Sequence, residues 1–249
     1  MNKTNKYNAR LAASEKDVHK TQILRSKFYD TLTDDCALDS DIFDAKCKHV
    51  LIEDTATGEL HACFRFMYFP NGNHIDTSYS AQYYDLSRLK MYEKPMIEIG
   101  RFCISSDVQD YEPYRVAWAY LTAYIDQNDI SLMFGCSSFY GTDAEKYTDA
   151  FALLNDWHLA PEIWKPLVKS DEVIVFTDYL VGRKPNLKEA NKNLPPLLRS
   201  YLGIGGWVSD HAVVDRNLET LHVLTGVEVK AIPAARVRVL RSHAKALGM

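Results

Sequence analysis

The stretch from Met96 to Cys136 constrains this chain most. Met96-Ile97-Glu98-Ile99-Gly100-Arg101-Phe102-Cys103-Ile104 is a β-rich run holding two charges. Pro113 then opens a helix in which Val116, Leu121, Tyr124 and Ile125 form a buried stripe, with Trp118 and Tyr120 beside it. Ser131-Leu132-Met133-Phe134-Gly135-Cys136 is a second, fully apolar strand. Strand–helix–strand at this spacing is a crossover unit, which requires parallel pairing. Ahead of it, His49–Asp54 and Leu60–Phe69 flank the turn Thr55-Ala56-Thr57-Gly58-Glu59 and predict an antiparallel hairpin. A chain that needs both pairings is predicted to be α/β (α+β mixed), with a central mixed β-sheet flanked by helices.

The other elements are read with the same rules. Residues 9–31 are predicted to be a helix with an irregular start, Ser14 preceding Glu15 and Asp17. A short helix is expected within Ser80–Leu89, a longer one over residues 143–157 and a strand over Glu172–Tyr179. Leu194–Leu202 enters a helix through Pro195 and Pro196, and Leu221–Val227 is a late strand. A final helix is expected from Pro233. The prediction is a core over 1–181 and a basic C-terminal extension over 182–249, packed together as one structural domain.

Charge divides along the same line. Residues 182–249 hold 11 Lys+Arg and 5 Asp+Glu, a net of +6, whereas residues 1–181 hold 18 and 28, a net of −10. A basic segment on an acidic body suits an acidic carrier protein or an anionic membrane surface, and plain solvation explains it equally. Nucleic acid has only this tail charge in its favour and is not expected as a partner. No apolar run approaches the ~20 residues of a membrane span, and the N-terminus is polar, so a cytoplasmic protein is expected, with peripheral attachment to the inner leaflet through the basic segment.

Some chemistries are disfavoured outright. The five cysteines (Cys36, Cys47, Cys63, Cys103 and Cys136) include no C-x-x-C, so reduced core thiols are expected rather than zinc or disulfides. The eight histidines lack ligand-pair spacing, and no G-x-S-x-G elbow occurs. The acidic loop Asp34–Asp44 lacks the order and the glycine of a calcium loop. No metal is expected; its aspartates suit capping, pairing with Arg25 or Arg65, or contact with a cationic substrate. Glu98 is different. A carboxylate in an apolar strand is costly unless paired or used. A bulge at Gly100 would turn Glu98 and Arg101 toward one cleft. The residues alone leave a structural ion pair and a general base beside a cation equally open.

Together these segments resemble a family. Arg25…Phe28, Asp41-x-x-Asp44, Arg65 and Glu98-x-x-Arg101, in that order, look like the N-acyltransferases of bacterial ornithine-lipid synthesis. Those enzymes belong to the GNAT acyltransferase superfamily and are similar to acyl-homoserine lactone synthases. Phe134–Phe139, Leu194–Leu202 and Gly206–Asp215 extend the resemblance over residues 10–228 and point to the aminolipid branch. The resemblance implies a GNAT-like fold and transfer of a 3-hydroxyacyl group from acyl carrier protein to the α-amine of an amino acid, ornithine first and glutamine next. The pyrophosphate loop of coenzyme A-dependent members is missing between Ile104 and Tyr114, which fits a carrier-protein thioester as donor and no separate cofactor. Glu98 and Arg101 are then expected at the catalytic centre. Arg25, Phe28, Asp41, Asp44, Arg65, Phe102, Cys103, Ser137 and Ser138 are expected around the substrates, although pairing with Asp41 and Asp44 is an equal role for the arginines. An acyl-homoserine lactone synthase and a non-catalytic acyl- or partner-binding module are the rival readings.

Overall fold

A computed structural model describes residues 5–29 and 38–249; expectations for Met1–Thr4, Cys36 and the start of the acidic loop lie outside them. The chain begins β1 (Tyr7–Leu11), α1 (Glu15–Tyr29), β2 (Lys48–Asp54), β3 (Leu60–Phe69), β4 (Tyr84–Asp85) and β5 (Met96–Ile104). It continues α2 (Glu112–Gln127), β6 (Leu132–Tyr140), α3 (Thr148–Trp157), β7 (Leu167–Val168), β8 (Val173–Val175), α4 (Phe176–Leu180) and α5 (Leu187–Asn193). It ends α6 (Pro196–Gly203), β9 (Trp207–Val208), β10 (His211–Asp215), β11 (Thr220–Glu228) and α7 (Ala234–Ala246). The result is a mixed α/β fold, as predicted. It divides into two compact units: residues 1–68, 99–130 and 234–249, and residues 69–98 and 131–233.

In the first unit the strand order is β1-β2-β3-β5. The predicted hairpin is β2–β3, antiparallel. The predicted helix over 9–31 is corrected at its start, because Tyr7–Leu11 is a strand paired with β2 from Tyr7↔Asp54 to Leu11↔Val50. Tyr7 is buried along that pairing, so tertiary contact overrides the local helical reading. The helix proper starts after Ser14, whose Oγ accepts from Asp17 N–H at 3.3 Å. Period-2 alternation sorts β3 by face. Phe64 and Phe66 meet Tyr120 and Tyr124 of α2, and Phe102 stacks on Phe64 at 5.7 Å. Cys63 and Cys103 pack with Leu24 of α1. Helix α7 lies along α2 and is tied to it by Arg241–Asp126 at 2.7 Å.

In the second unit the order is β5-β6-β11-β10-β8. The predicted crossover pairing is present: β5 and β6 are parallel from Met96↔Leu132 to Glu98↔Phe134. The remaining neighbours are antiparallel. One face carries Phe139, Val208, Ala212, Leu221 and Val223 and is covered by α3 to α6 through Phe151, Phe176, Ala190 and Leu198. The other face carries Cys136, Ser138, Asp215, Thr220 and His222, and the 79–84 segment packs on it. Two expected elements change. Only Val173–Val175 of the strand expected over 172–179 is extended, because Phe176 N–H bonds Asp210 O at 3.0 Å as the chain turns into α4. The helix expected within 80–89 is two 3₁₀ turns, Ser80–Gln82 and Ser87–Met91, separated by β4.

Candidate active site

The acidic loop and three arginines meet in the first unit. Helix α1 delivers Arg25, 1 % exposed, whose Nε reaches Asp39 Oδ2 at 2.9 Å and whose Nη1 and Nη2 each reach Asp44 at 2.8 Å. Strand β3 delivers Arg65, which grips Asp41 through Nη1 and Nη2 at 2.6 Å each and also touches Asp44. Strand β5 delivers Arg101, with Nε on Asp39 Oδ2 at 2.9 Å and Nη2 on Asp41 Oδ2 at 3.4 Å. Among the described residues, three guanidinium groups and three carboxylates therefore join in one network, balanced in charge. Burial works against ionising Asp41, yet the Arg65 guanidinium holds its carboxyl below the usual range; Asp44 is held down likewise, chiefly by Arg25. His49 lies beneath, its Nε2 at 3.0 Å from Asp44 O, and burial lowers its pKa. Sequence reasoning offered the loop's Asp39, Asp41 and Asp44 as partners of Arg25 or Arg65, but not that Asp39 joins Arg25 to Arg101.

The backbone irregularity expected at Gly100 falls one residue later. Arg101 itself has φ +51°, the left-handed region, which costs a non-glycine residue about 1–3 kcal/mol. Its two ion pairs and the Tyr29 ring, 5.6 Å from the guanidinium carbon, hold it there.

Glu98 belongs to the second unit. It is 5 % exposed, its Oε2 accepts the Tyr79 N–H at 2.8 Å and its Oε1 accepts the Ser80 N–H at 2.6 Å. The carboxylate thus organises the 3₁₀ turn that begins at Ser80. Ser80 Oγ in turn lies 3.5 Å from Cys136 Sγ on β6. The β5–β6 ladder ends at the Glu98↔Phe134 pair.

The other expected residues divide. Phe102 packs edge-on against Tyr114 at 5.4 Å, and Cys103 is fully buried, burial raising its thiol well above the ordinary range. Phe28 is half exposed with its ring edge-on to Tyr29. Ser137 is buried on the helix-covered face, its Oγ accepting from Thr225 Oγ1 at 2.9 Å. Ser138 is partly exposed on the opposite face, across from His222. That face holds what sequence reasoning missed. Tyr84 Oη lies 3.1 Å from His222 Nδ1 and donates to His222 O at 2.8 Å, and Tyr83 Oη donates to Asp215 Oδ2 at 3.2 Å. The available signal was a histidine at position 222 inside the apolar run Leu221–Val227.

Comparison with known proteins finds relatives of this chain. Residues 22–119 match the acetyltransferase (GNAT) domain family. The chain is 26% identical over 239 residues to an L-ornithine N(alpha)-acyltransferase of Rhodobacter capsulatus, spanning 91% of each. It is 28% identical over 202 residues to the Brucella abortus protein of the same name, spanning 78% of this chain and 71% of that one. Among solved structures, a CoA-dependent acyl-homoserine lactone synthase with MTA superposes with TM-score 0.51 at 10% identity, over 99% of this chain and 90% of that one. An N-acyl amino acid synthase from uncultured soil microbes gives TM-score 0.50 at 8% identity, over 97% and 98%.

Proposed function

Given that this chain is an acyltransferase of the GNAT fold, we propose that it moves a 3-hydroxyacyl group from the phosphopantetheine thioester of acyl carrier protein to the α-amine of an amino acid. Ornithine is the first expected acceptor and glutamine the second, and the product is a lyso-aminolipid. The observation that carries this reading is Glu98, a buried carboxylate at the end of the parallel ladder with both oxygens anchored on backbone N–H groups.

In the reaction a C–N bond forms, the C–S bond breaks and the carrier thiol leaves. An α-ammonium of pKa roughly 8 does not readily yield its proton to a carboxylate. The amine therefore attacks in its neutral form, and becomes strongly acidic once bonded to the carbonyl carbon. Glu98, whose two oxygens accept from the Tyr79 and Ser80 amides, takes the proton directly or through water as the C–N bond forms. Charge developing on the carbonyl oxygen calls for preorganised backbone N–H donors. Arg25, Arg65 and Arg101 hold the acidic loop in place and so act as positioning residues.

Delivery of the acyl chain falls to α7. Its partly buried Val237 and Leu240 and its buried Ala244 recur on one side, the helix packs on α2, and Arg238 and Lys245 are exposed. That basic face suits an acidic carrier or an anionic leaflet, each cation near such a surface contributing ~1 kcal/mol. No described helix is long and apolar enough to cross a membrane. The decisive experiment is Glu98→Gln assayed with acyl carrier protein thioester and ornithine across pH 6–9. A fall in kcat of about 10²–10⁴ is expected; transfer at the wild-type rate would refute the proton-acceptor role.

A further inference from the structure

The polar face of the second unit's sheet holds a carboxylate with no ion pair and two buried polar atoms with no hydrogen bond among the described residues. Asp215 is 2 % exposed. Its Oδ1 accepts from the amides of Asn217 and Leu218, and its Oδ2 from Tyr83, all neutral donors; no ion pair reaches it among the described residues. A buried carboxylate without a counter-charge calls for a cation. Thr220, the cross-strand partner of Asp215, has a buried Oγ1 with no hydrogen-bond partner among the described residues. Two residues on, and so on the same face, His222 has a buried Nε2 in the same condition.

The hydrogen-bond pattern assigns the tautomer of His222. Tyr84 has one hydroxyl proton, and the shorter contact gives it to the His222 carbonyl at 2.8 Å. The Nδ1–Oη contact of 3.1 Å is then made by an Nδ1–H, which leaves a lone pair on Nε2. Burial pushes this imidazole down to about 4, so it stays neutral at physiological pH and serves as an acceptor rather than a base. Tyr83 closes the group, its ring edge-on to His222 at 4.9 Å and against Tyr79 at 5.5 Å. An imidazole lone pair, a hydroxyl, a carboxylate and tyrosine rings match a primary ammonium, which has three protons to donate and one positive charge.

We propose that Asp215, Thr220 and His222 receive the side-chain ammonium of the amino-acid acceptor. The inference rests on the acyltransferase reading above and supplies its acceptor specificity. The spacing agrees. The Glu98↔Phe134 and His222↔Ser138 pairs lie four residues apart along β6, about 13 Å. A diamino acid with three methylenes separates its two nitrogens by about 6 Å, and a hydrogen bond of about 3 Å at each end brings the span to about 12 Å. Glycine is too short to reach and glutamine brings no charge.

The test compares L-ornithine with L-norvaline, the same chain without the ammonium, in wild type, Asp215→Asn, Thr220→Val and His222→Phe. Binding is measured by calorimetry on the full chain, and acyl transfer from acyl carrier protein thioester by kcat/KM. Wild type is expected to favour ornithine by at least about tenfold, and Asp215→Asn to bring the ratio within about twofold. His222→Gln, which keeps an acceptor, is expected to retain more of the preference than His222→Phe. Should Asp215→Asn fail to fold, Thr220→Val and His222→Gln carry the comparison. An ornithine-to-norvaline ratio unchanged by these substitutions, or equal use of both by wild type, overturns the proposal. Selective ornithine binding with no acyl transfer would instead remove the acyltransferase reading and leave this one standing.

Discussion

Replacing Asp44 by alanine tests the arginine–aspartate network directly. Asp44 accepts from Arg25 twice at 2.8 Å, from Arg65 and from Gln22 at 2.9 Å. Its loss leaves three guanidinium groups facing two carboxylates, with Arg25 1 % and Arg65 3 % exposed. Removing one partner of a buried pair costs about 3–5 kcal/mol, because the remaining charge stays out of water. Against a usual total of about 5–15 kcal/mol, this is a large share. Urea unfolding followed by circular dichroism should show the midpoint fall with the slope unchanged. Asp44→Ala combined with Arg25→Met should be less destabilised than the sum of the single changes, since the double variant restores neutrality. A loss below about 1 kcal/mol in the single variant, or strict additivity in the double, would refute the reasoning.

Other outcomes are expected. Asp41 and Asp44 are held below the unfolded carboxylate value of about 3.9, so their stabilisation is complete above that pH and disappears as pH falls through the folded-state values. Acid titration should show this loss in wild type and a smaller one in Asp44→Ala. Gly226→Ala should destabilise by about 1–3 kcal/mol or more, because its Cβ would come within 2.2 Å of the Trp207 ring. Gly100→Ala should be tolerated in thermal melts, since a Cβ there meets no described atom within 4 Å. Reversing the charges of Arg238 and Lys245 should raise KM for the carrier-protein thioester most at low salt, and a KM change independent of salt would tell against electrostatic docking.

The parallel crossover was legible because Pro113 fixes where α2 starts and the runs on either side of it are apolar over strand length. The β2–β3 hairpin was legible from its turn. Residues 7–11 were not, because a single strand shows its identity only through its partner, here β2, about forty residues later. Pairing of Arg25 and Arg65 with the loop aspartates was legible, since buried arginines and carboxylates must find one another. Their division was not legible: Arg101 closes a network with Asp39 and Asp41, while Glu98, three residues earlier, serves the backbone of Tyr79 and Ser80. Backbone N–H groups leave no residue-type signature. For the same reason Asp215 and His222 passed unmarked, being significant only through what surrounds them.

The first unit draws on three separated stretches, residues 1–68, 99–130 and 234–249. During synthesis, α2 therefore waits for its covering helix α7 until more than a hundred further residues have been made. At about 5–20 residues per second that delay is roughly 6–24 s. The nascent enzyme thus carries α2 without α7 while residues 128–233 are made, and ribosome stalling between residues 130 and 234 should leave that unit open to proteases and dependent on chaperones.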